Sequence, residues 1–214
     1  GKGTRMKSEM PKVMCQVIFE PMIKYVIDAV SKAQVEDICV ITGYKNEIVE
    51  EYLSNLNRNI KTALQMPQLG TGHAVMQARE FITDHIDDEI LILNGDGPLM
   101  DAETINKAYE YHIKNNNSIT LLSAIVEDTN GIGHIKRDEN GSLLRIVEDK
   151  DASPEEKQIK ESNAGVYWFK GRQLLYAIDR ITNSNAQNEY YLTDCLEILI
   201  SKGENVGAYI CENN

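Results

Sequence analysis

The chain has 214 residues, of which 42% are hydrophobic and 26% are charged, and its formal net charge at pH 7 is -11. This length and composition are typical of a globular protein with one substantial core, or with one core and a small appendage. The excess of carboxylates excludes a protein that binds nucleic acid nonspecifically, because affinity for the phosphate backbone depends on dense Lys and Arg. A small phosphorylated ligand is compatible with this charge if local cations, from side chains or a metal, hold it.

Two absences narrow the cellular setting. No apolar run approaches the roughly 20 residues that span a bilayer, and residues 1–5 lack the hydrophobic stretch of a signal peptide. We therefore expect a cytoplasmic protein without a membrane partner. The four cysteines form no CxxC pair, which favours neither a zinc site nor a disulfide framework, so we expect reduced thiols.

Short apolar runs rich in Ile and Val alternate along the chain with stretches of helical spacing, which predicts an α/β fold. Pro21 suits a first helical turn, and Ile23, Val26, Ile27 and Val30 follow at helical spacing. In chain order, this helix is followed by a buried strand at 38–41, a helix at 45–56, a strand at 62–64, a helix from about 72, a strand at 90–93, a helix at 101–115 and a strand at 119–126. We expect the strand at 90–93 to be central in the sheet.

The pattern changes after about residue 130 to shorter and more polar strands. Those at 133–136 and 143–147 flank an Asn140-Gly141 turn typical of a hairpin, and the charged stretch 148–161 follows. We expect this insertion to cover a ligand cleft. The remaining predicted elements are a strand at 166–169, helices at 172–181 and 191–202, and a strand at 205–210. The predicted fold is a Rossmann-like, mostly parallel sheet flanked by helices, with a small insertion that contains the hairpin.

The first candidate site is the loop GKGTRM at 1–6, followed by Pro11-Lys12. Its glycines let backbone N–H groups approach phosphate oxygens, while Arg5 and Lys12 supply positive charge. The loop is neither GxGxxG nor a Walker pattern, and a basic, frayed N-terminus is the alternative interpretation. No strand precedes the loop, so we expect part of the domain to lie upstream.

The second candidate is the segment QMPQLGTGHA at 65–74. The amide of Gln65 can pair with a base edge through donor and acceptor together, and the backbone of Gly70 and Thr71 can close on a uracil. A plain loop in which Thr71 caps a helix is the alternative.

The third candidate is NGDGPL at 94–99, directly after the predicted central strand. Ligands in open α/β sheets bind at the carboxyl ends of strands, so Asp96 is placed where a hard oxygen ligand could hold magnesium against phosphates. An ordinary turn built from Asp, Gly and Pro is the alternative.

The fourth candidate is a dispersed set of amides, carboxylates and hydroxyls, a mixture that suits the hydroxyls of a sugar. Its members are Gly133, Glu148, Asn163 and the run NAQNEYYLTD at 185–194. Each also has a plain interpretation, since Glu148 begins a charged surface stretch and Thr193 can cap a helix.

The motifs of this sequence, taken in order, resemble one known family over essentially the whole chain. They are GKGTRM, PK, LQxxQLGTGHA, GDxPL, GxGxI, VExKDA, NxG and NAQxEYYLTD. That family is the uridyltransferase half of the bifunctional N-acetylglucosamine-1-phosphate uridyltransferase/glucosamine-1-phosphate acetyltransferases. The resemblance implies a fold of the nucleotide-diphospho-sugar transferase type. It also implies that UTP and N-acetylglucosamine 1-phosphate give UDP-N-acetylglucosamine and pyrophosphate with Mg²⁺, for cell-wall precursor synthesis.

The resemblance also implies roles for individual residues. Arg5, Lys12 and Asp96 would be catalytic, with Asp96 as the magnesium ligand. UTP phosphates would be bound by Gly1, Arg5 and Lys12, and the uridine by Gln65, Gly70 and Thr71. Asn94 and Gly95 would line the same site as Asp96. The residues that would hold the sugar phosphate are Gly133, Glu148, Asn163, Glu189, Tyr191 and Thr193.

The implied domain is a single nucleotidyltransferase unit over 1–214, with a nucleotide-binding part at about 1–130 and a sugar-binding part at about 131–214. No hexapeptide repeat occurs, so we expect no acetyltransferase β-helix in this chain, and a homotrimer is implied only for a full-length protein. The family's strand before the loop and its second magnesium ligand, a downstream Asn, would lie outside these residues. Asn94, Gly97, Asn188 and Ile18-Phe19-Glu20 replace residues more usual in the family.

Two alternatives stay open from the sequence. One is a related sugar-1-phosphate nucleotidyltransferase with another sugar or base, and the other is a fragment that binds UDP-sugar without turnover. A dinucleotide-binding oxidoreductase is excluded, because GxGxxG followed by an acidic residue at the right distance is missing.

Overall fold

The computed structural model describes residues 10–211. The strands are β1 (Gln16–Val17), β2 (Glu20–Pro21), β3 (Ile38–Thr42), β4 (Ile60–Leu64), β5 (Glu89–Leu93), β6 (Ile119–Ile125), β7 (His134–Arg137), β8 (Leu143–Val147), β9 (Glu161–Lys170) and β10 (Val206–Ile210). The α-helices are α1 (Met22–Lys32), α2 (Asn46–Ser54), α3 (Thr71–Gln77), α4 (Arg79–Asp84), α5 (Ala102–Lys114), α6 (Gly171–Ile178) and α7 (Asp194–Ser201), and short 3-10 helices lie at Lys12–Met14 and Glu156–Gln158.

The chain forms two compact units. The first contains the chain up to Gln68 together with Asn94–Lys107, and the second contains Leu69–Leu93 and the chain from Ala108 onward. These boundaries differ from the predicted division near residue 130. That division concerned ligand binding, so it stays a prediction.

The first unit is organised around α1 and α2. Ile23 and Ile27 of α1 pack against Val49 and Leu53 of α2, as the helical spacing predicts. Strands β3 and β4 pair in parallel as a two-stranded sheet, and β1 and β2 form a short antiparallel ribbon. The prediction that residues 38–41 form a buried strand is correct for the strand and wrong for its burial. They are only half-buried, because β4 is the one partner of β3 among the described strands.

The second unit is built on a six-stranded sheet in the order β10-β6-β9-β7-β8, with β5 also paired to β9. The α/β class is confirmed, but the sheets are mixed instead of mostly parallel. Parallel pairing holds for β3 with β4 and for β6 with β10, whereas β9 runs antiparallel to β5, β6 and β7. The expectation that residues 90–93 form a central strand is wrong, because β5 pairs only with β9 among the described strands and β9 occupies the centre.

The core of the second unit lies where α6 and α7 cover this sheet. Phe169 of β9, Leu121 and Leu122 of β6, Leu174 of α6 and Leu196 of α7 have no exposed surface. The predicted hairpin is confirmed, with Gly141 at φ 83° and its N–H donating to the carbonyl of Asp138 at 3.0 Å. Within residues 10–211, no helix is both long enough and apolar enough to span a bilayer.

Candidate active site

Lys12 and Asp96, which are 84 positions apart in sequence, form an ion pair in the first unit. The Lys12 Nζ lies 2.5 Å from the Asp96 Oδ2, and the two side chains are 40% and 31% exposed. The 3-10 helix after Pro11 places Lys12, while Asp96 follows the carboxyl end of β5 in a turn closed by the Gly97 N–H and the Asn94 carbonyl. The ammonium and the carboxylate that the sequence predicts for phosphate and metal binding therefore meet, and both reach solvent.

This pair fits a metal that arrives with a nucleotide better than a metal held by the protein alone. In the described part of the chain, no three His, Cys, Asp or Glu side chains are grouped to hold a metal ion. Magnesium at nucleotide sites is commonly held by one or two carboxylates together with the substrate phosphates. The accessible carboxylate of Asp96 suits that arrangement, and its role as a ligand stays a prediction.

Three more predicted nucleotide residues lie in the same unit. Gln65 follows β4 and is buried, with its backbone N–H donating to the Thr42 carbonyl at 2.8 Å. Asn94 is exposed, and a β-carbon built on Gly95 would lie 3.3 Å from the Val13 side chain. The chain segment that carries Asp96 is therefore packed closely against the segment that carries Lys12.

The second unit joins two sequence motifs that are about 120 residues apart. Residues 69–72 dock on residues 190–192 through three hydrogen bonds. The Tyr190 N–H donates to the Leu69 carbonyl at 2.8 Å, the Gly72 N–H donates to the Tyr190 carbonyl at 2.8 Å, and the Leu192 N–H donates to the Thr71 Oγ1 at 3.0 Å. The segment predicted to recognise uridine and the segment predicted to hold the sugar thus support each other.

These contacts exclude the helix-capping roles that the sequence left open for Thr71 and Thr193. Thr71 is the first residue of α3 and accepts from Leu192, so it does not cap that helix. Thr193 occupies the N-cap position of α7, yet its hydroxyl donates to the Glu148 Oε1 at 2.9 Å instead of accepting from the helix. Helix α7 begins at Asp194, three residues later than predicted, and Leu192 lies before it.

Glu148 is a half-buried carboxylate on the predicted sugar side. Burial raises its pKa, and the nearby charges of Asp151 and Glu189 raise it further, while the hydroxyl of Thr193 and the imidazole of His134 act in the opposite direction. The carboxyl oxygens of Glu148 can accept hydrogen bonds from sugar hydroxyls. The neighbouring charges of Asp151 and Glu189 disfavour a phosphate beside Glu148.

Gly133, which directly precedes β7, and Asn163, which belongs to β9, are neighbours. The Asn163 N–H donates to the Gly133 carbonyl at 2.8 Å, and its side-chain amide donates to the hydroxyl of Tyr167 at 2.6 Å. A β-carbon on Gly133 would lie 3.0 Å from the Ile146 side chain. Tight packing explains why the chain has glycine here.

Glu189 and Tyr191 lie on a loop with no regular structure before α7. Tyr191 is buried, and its hydroxyl accepts from the Gln187 amide at 2.7 Å and donates to the Asp151 Oδ2 at 3.2 Å. Glu189 is half-buried, and its backbone is held by the side chain of Asn185.

With this geometry in place, comparison with known proteins identifies the family. The sequence model of the nucleotidyl transferase family matches residues 1–214. The chain belongs to the nucleotidyl transferase family.

Relatives of this nucleotidyl transferase are similar over its whole length but are longer. It is 46% identical over 213 residues to the bifunctional protein GlmU of Caldanaerobacter subterraneus subsp. tengcongensis, covering 100% of this chain and 46% of that protein. It is 47% identical over 209 residues to the bifunctional protein GlmU of Clostridioides difficile, covering 98% of this chain and 44% of that protein. The chain thus spans about half the length of these curated relatives.

A solved structure supports the fold. A crystal structure from Bacillus anthracis, assigned as a glucose-1-phosphate thymidylyltransferase in complex with a sucrose, superposes with a TM-score of 0.80. It covers 99% of this chain and 84% of that chain at 20% sequence identity. At this identity the likeness shows the fold alone.

The predicted site residues of this nucleotidyl transferase are divided between its two units. The first unit contains Lys12, Gln65, Asn94, Gly95 and Asp96. The second unit contains Gly70, Thr71, Gly133, Glu148, Asn163, Glu189, Tyr191 and Thr193. Gly1 and Arg5 lie outside the described residues. Sequence reasoning missed Asp151, which contacts the loop that carries Glu189 and Tyr191. Its place in the VExKDA motif was the available signal.

Proposed function

We propose that this chain transfers a uridylyl group from UTP to N-acetylglucosamine 1-phosphate, giving UDP-N-acetylglucosamine and pyrophosphate. The observation that carries the proposal is the docking of residues 69–72 on residues 190–192, because it joins the segment assigned to the base with the segment assigned to the sugar. The similarity to two GlmU proteins supports the same reaction class. The product would serve cell-wall precursor synthesis.

In the proposed reaction, a phosphate oxygen of the sugar phosphate attacks the α-phosphorus of UTP in line. A new P–O bond forms as the bond to the β-phosphate oxygen breaks, and pyrophosphate leaves from the opposite side. No general base is required, because a phosphate monoester with a second pKa near 6 is already ionised near neutral pH. The protein therefore acts by positioning and by charge stabilisation.

The side chains divide this work. Lys12 supplies a solvent-accessible ammonium beside Asp96 that can bind a UTP phosphate, and Arg5 is proposed to act with it. When bound at Asp96, Mg²⁺ supplies positive charge to the phosphate oxygens. Glu148 and Thr193 offer oxygens to the sugar hydroxyls.

The test is pyrophosphate release from UTP and N-acetylglucosamine 1-phosphate with Mg²⁺. We expect release to need both substrates and to fall by about 100-fold in Asp96→Asn and Lys12→Met, the range seen when one electrostatic contact to a transition state is removed. Asp37→Asn, a change to an exposed aspartate between α1 and β3, is the matched control and should retain the wild-type rate.

Each other outcome points to a named alternative. Preferred use of thymidine triphosphate or glucose 1-phosphate would replace the substrate assignment with that of a related nucleotidyltransferase. Tight binding of UDP-N-acetylglucosamine without any pyrophosphate release would make this chain a binding fragment. A wild-type rate in Asp96→Asn would remove Asp96 from the reaction.

A further inference from the structure

A single carboxylate, that of Asp151, holds the loop at residues 185–192 (the 185–192 loop) at two points. The Ala186 N–H donates to its Oδ1 at 2.9 Å, and the Tyr191 hydroxyl donates to its Oδ2 at 3.2 Å. The preceding residue adds a third contact, since the Lys150 Nζ donates to the Gln187 side-chain oxygen. Both oxygens of Asp151 are thus engaged with the protein, at opposite ends of the loop.

The loop also has internal hydrogen bonds, which set its local shape but not its place on the unit. The Asn185 side chain donates to the Glu189 carbonyl at 2.6 Å and accepts from the Gln187 and Glu189 N–H groups at 3.2 Å. Asn188 adopts φ 54°, which an Asn tolerates in a turn. Lys150 and Asp151, which belong to the charged stretch 148–161, make the contacts that hold the 185–192 loop against that stretch.

The same loop supports the nucleotide segment. Its Tyr190 N–H and carbonyl pair with Leu69 and Gly72, and its Leu192 N–H pairs with the hydroxyl of Thr71. A displacement of the loop would therefore move Glu189 and Tyr191 on the sugar side and would release three hydrogen bonds on the base side.

We infer that Asp151 is a positioning residue that couples the two substrate segments, because its carboxylate anchors two points of the loop that carries Glu189 and Tyr191 and that pairs with residues 69–72. It is not assigned as a ligand, since its two oxygens already accept from Ala186 and Tyr191. The inference rests on the proposed function for the identity of the substrates, but the coupling itself concerns only the protein's own contacts.

Hydrogen exchange of the full chain tests the coupling directly. In Asp151→Ala we expect exchange at the Ala186 amide to accelerate by about tenfold to 100-fold, as is typical when a hydrogen bond to a charged group is lost. We expect acceleration in the same direction at the Tyr190 and Leu192 amides, which donate to the base segment. The Gly141 amide, in the distant hairpin turn, should be unchanged. Acceleration confined to Ala186 would overturn the coupling.

A conservative variant separates positioning from general destabilisation. Asp151→Asn keeps an oxygen that can accept from Ala186, so exchange and binding should lie between those of the wild type and Asp151→Ala. If Asp151→Ala does not fold, Asp151→Asn carries the exchange test alone. Unchanged exchange at Tyr190 and Leu192 in Asp151→Ala would refute the inference, and if that variant does not fold, unchanged exchange at the same amides in Asp151→Asn would refute it.

Direct binding distinguishes this inference from the proposed function. We expect the Kd of UTP alone and that of N-acetylglucosamine 1-phosphate alone each to rise by about tenfold in Asp151→Ala. Asp37→Ala is the matched control and should bind as the wild type does. A wild-type chain that binds neither compound would contradict the proposed function, whereas the exchange data would still decide the role of Asp151. A rise for the sugar phosphate without one for UTP would contradict the coupling.

Discussion

At the scale of the residue, Gly70 shows how backbone geometry constrains the candidate site. Its φ of 103° and ψ of 175° lie in a region that is essentially restricted to glycine. A β-carbon built there would lie 2.6 Å from the Tyr190 carbonyl oxygen and 2.9 Å from the Tyr190 nitrogen. The glycine therefore permits the contact between residues 69–72 and 190–192.

Gly70→Ala should consequently disrupt that contact. We expect a loss of about 3 kcal/mol in the free energy of unfolding, from backbone strain together with overpacking, and weaker binding of UTP. The matched control is Gly141→Ala, at φ 83° with nothing within 4 Å of the added carbon, which should cost only about 1 kcal/mol of strain. Denaturant unfolding measures both, and equal losses in the two variants would contradict the steric argument.

Two carboxyls in the second unit are shifted in opposite directions by their surroundings. Burial, followed by the charges of Glu197, Glu148 and Asp151, raises the pKa of Asp194 from 3.8 to about 6. The Glu156 carboxylate accepts from Lys136, from the Ser153 N–H and from Arg145, which lowers its pKa to about 2. Asp194 holds its proton more tightly in the folded state, whereas Glu156 releases its proton more readily.

The difference in unfolding free energy between Asp194→Asn and the wild type should therefore depend on pH. Because the pKa of Asp194 is raised in the folded state, this carboxyl stabilises the fold while it is protonated, fully below its unfolded pKa near 4. That stabilisation is lost as the pH rises through its folded pKa of about 6. We expect Asp194→Asn to be more stable than the wild type at pH 7 by up to about 2 kcal/mol, with no advantage at pH 4. Denaturant unfolding at several pH values checks this, and a difference independent of pH would contradict it.

Glu156→Gln provides the opposite control. Because the pKa of Glu156 is lowered in the folded state, this carboxylate stabilises the fold at pH values above its unfolded pKa near 4.5. That stabilisation is lost as the pH falls towards its folded pKa of about 2. Glu156→Gln should thus be less stable than the wild type at pH 7, with the deficit shrinking only below about pH 4.5. A deficit that grows as the pH falls would be inconsistent with the ion pairs described.

At the scale of the element, β9 organises the second unit. This ten-residue strand pairs with β6 on one side and with β5 and β7 on the other. The apolar run of β5 predicts a central strand, yet its residues are only half-buried because the strand has one described partner. An apolar run predicts that a strand is buried, but it does not show how many strands lie beside it.

Two identical substitutions measure this difference between strands. Leu121→Ala in β6, where the side chain has no exposed surface, should cost about 3–5 kcal/mol in the free energy of unfolding. Leu91→Ala in β5, where the side chain is half-buried, should cost about 1–2 kcal/mol. Denaturant midpoints with unchanged slopes would give both values. A larger cost for Leu91→Ala would contradict the peripheral place of β5.

At the scale of the whole molecule, the negative net charge opposes binding of the proposed substrates, which are anions. The net charge of -11 makes the overall field unfavourable to UTP and to a sugar phosphate, so the proposed binding of these phosphates requires local cations. Lys12 is the described residue to which the resemblance assigns that role, and Arg5 is assigned it beyond the described part. The carboxylates around Glu148 suit sugar hydroxyls better than phosphates, so under the proposed function phosphate and sugar hydroxyls would be bound by different kinds of side chain.

The sequence by itself determined the α/β class, most element positions and the family. Periodicity placed α1, α2 and the β7-β8 hairpin, since 3.6-residue spacing and an Asn-Gly turn are local properties. The order of the motifs also brought out Lys12 and Asp96 as candidates. The roles of the site residues stay predictions, because contact with a substrate is not a local property of the chain.

Only the tertiary structure decided which residues meet. The ion pair between Lys12 and Asp96 spans 84 positions, and the hydrogen bond between Thr71 and Leu192 spans 121. The central place of β9 and the two contacts of Asp151 with the 185–192 loop also come from long-range packing. Local spacing fixes the face and type of an element, whereas its neighbours are set by burial and hydrogen bonding among segments that are distant in sequence.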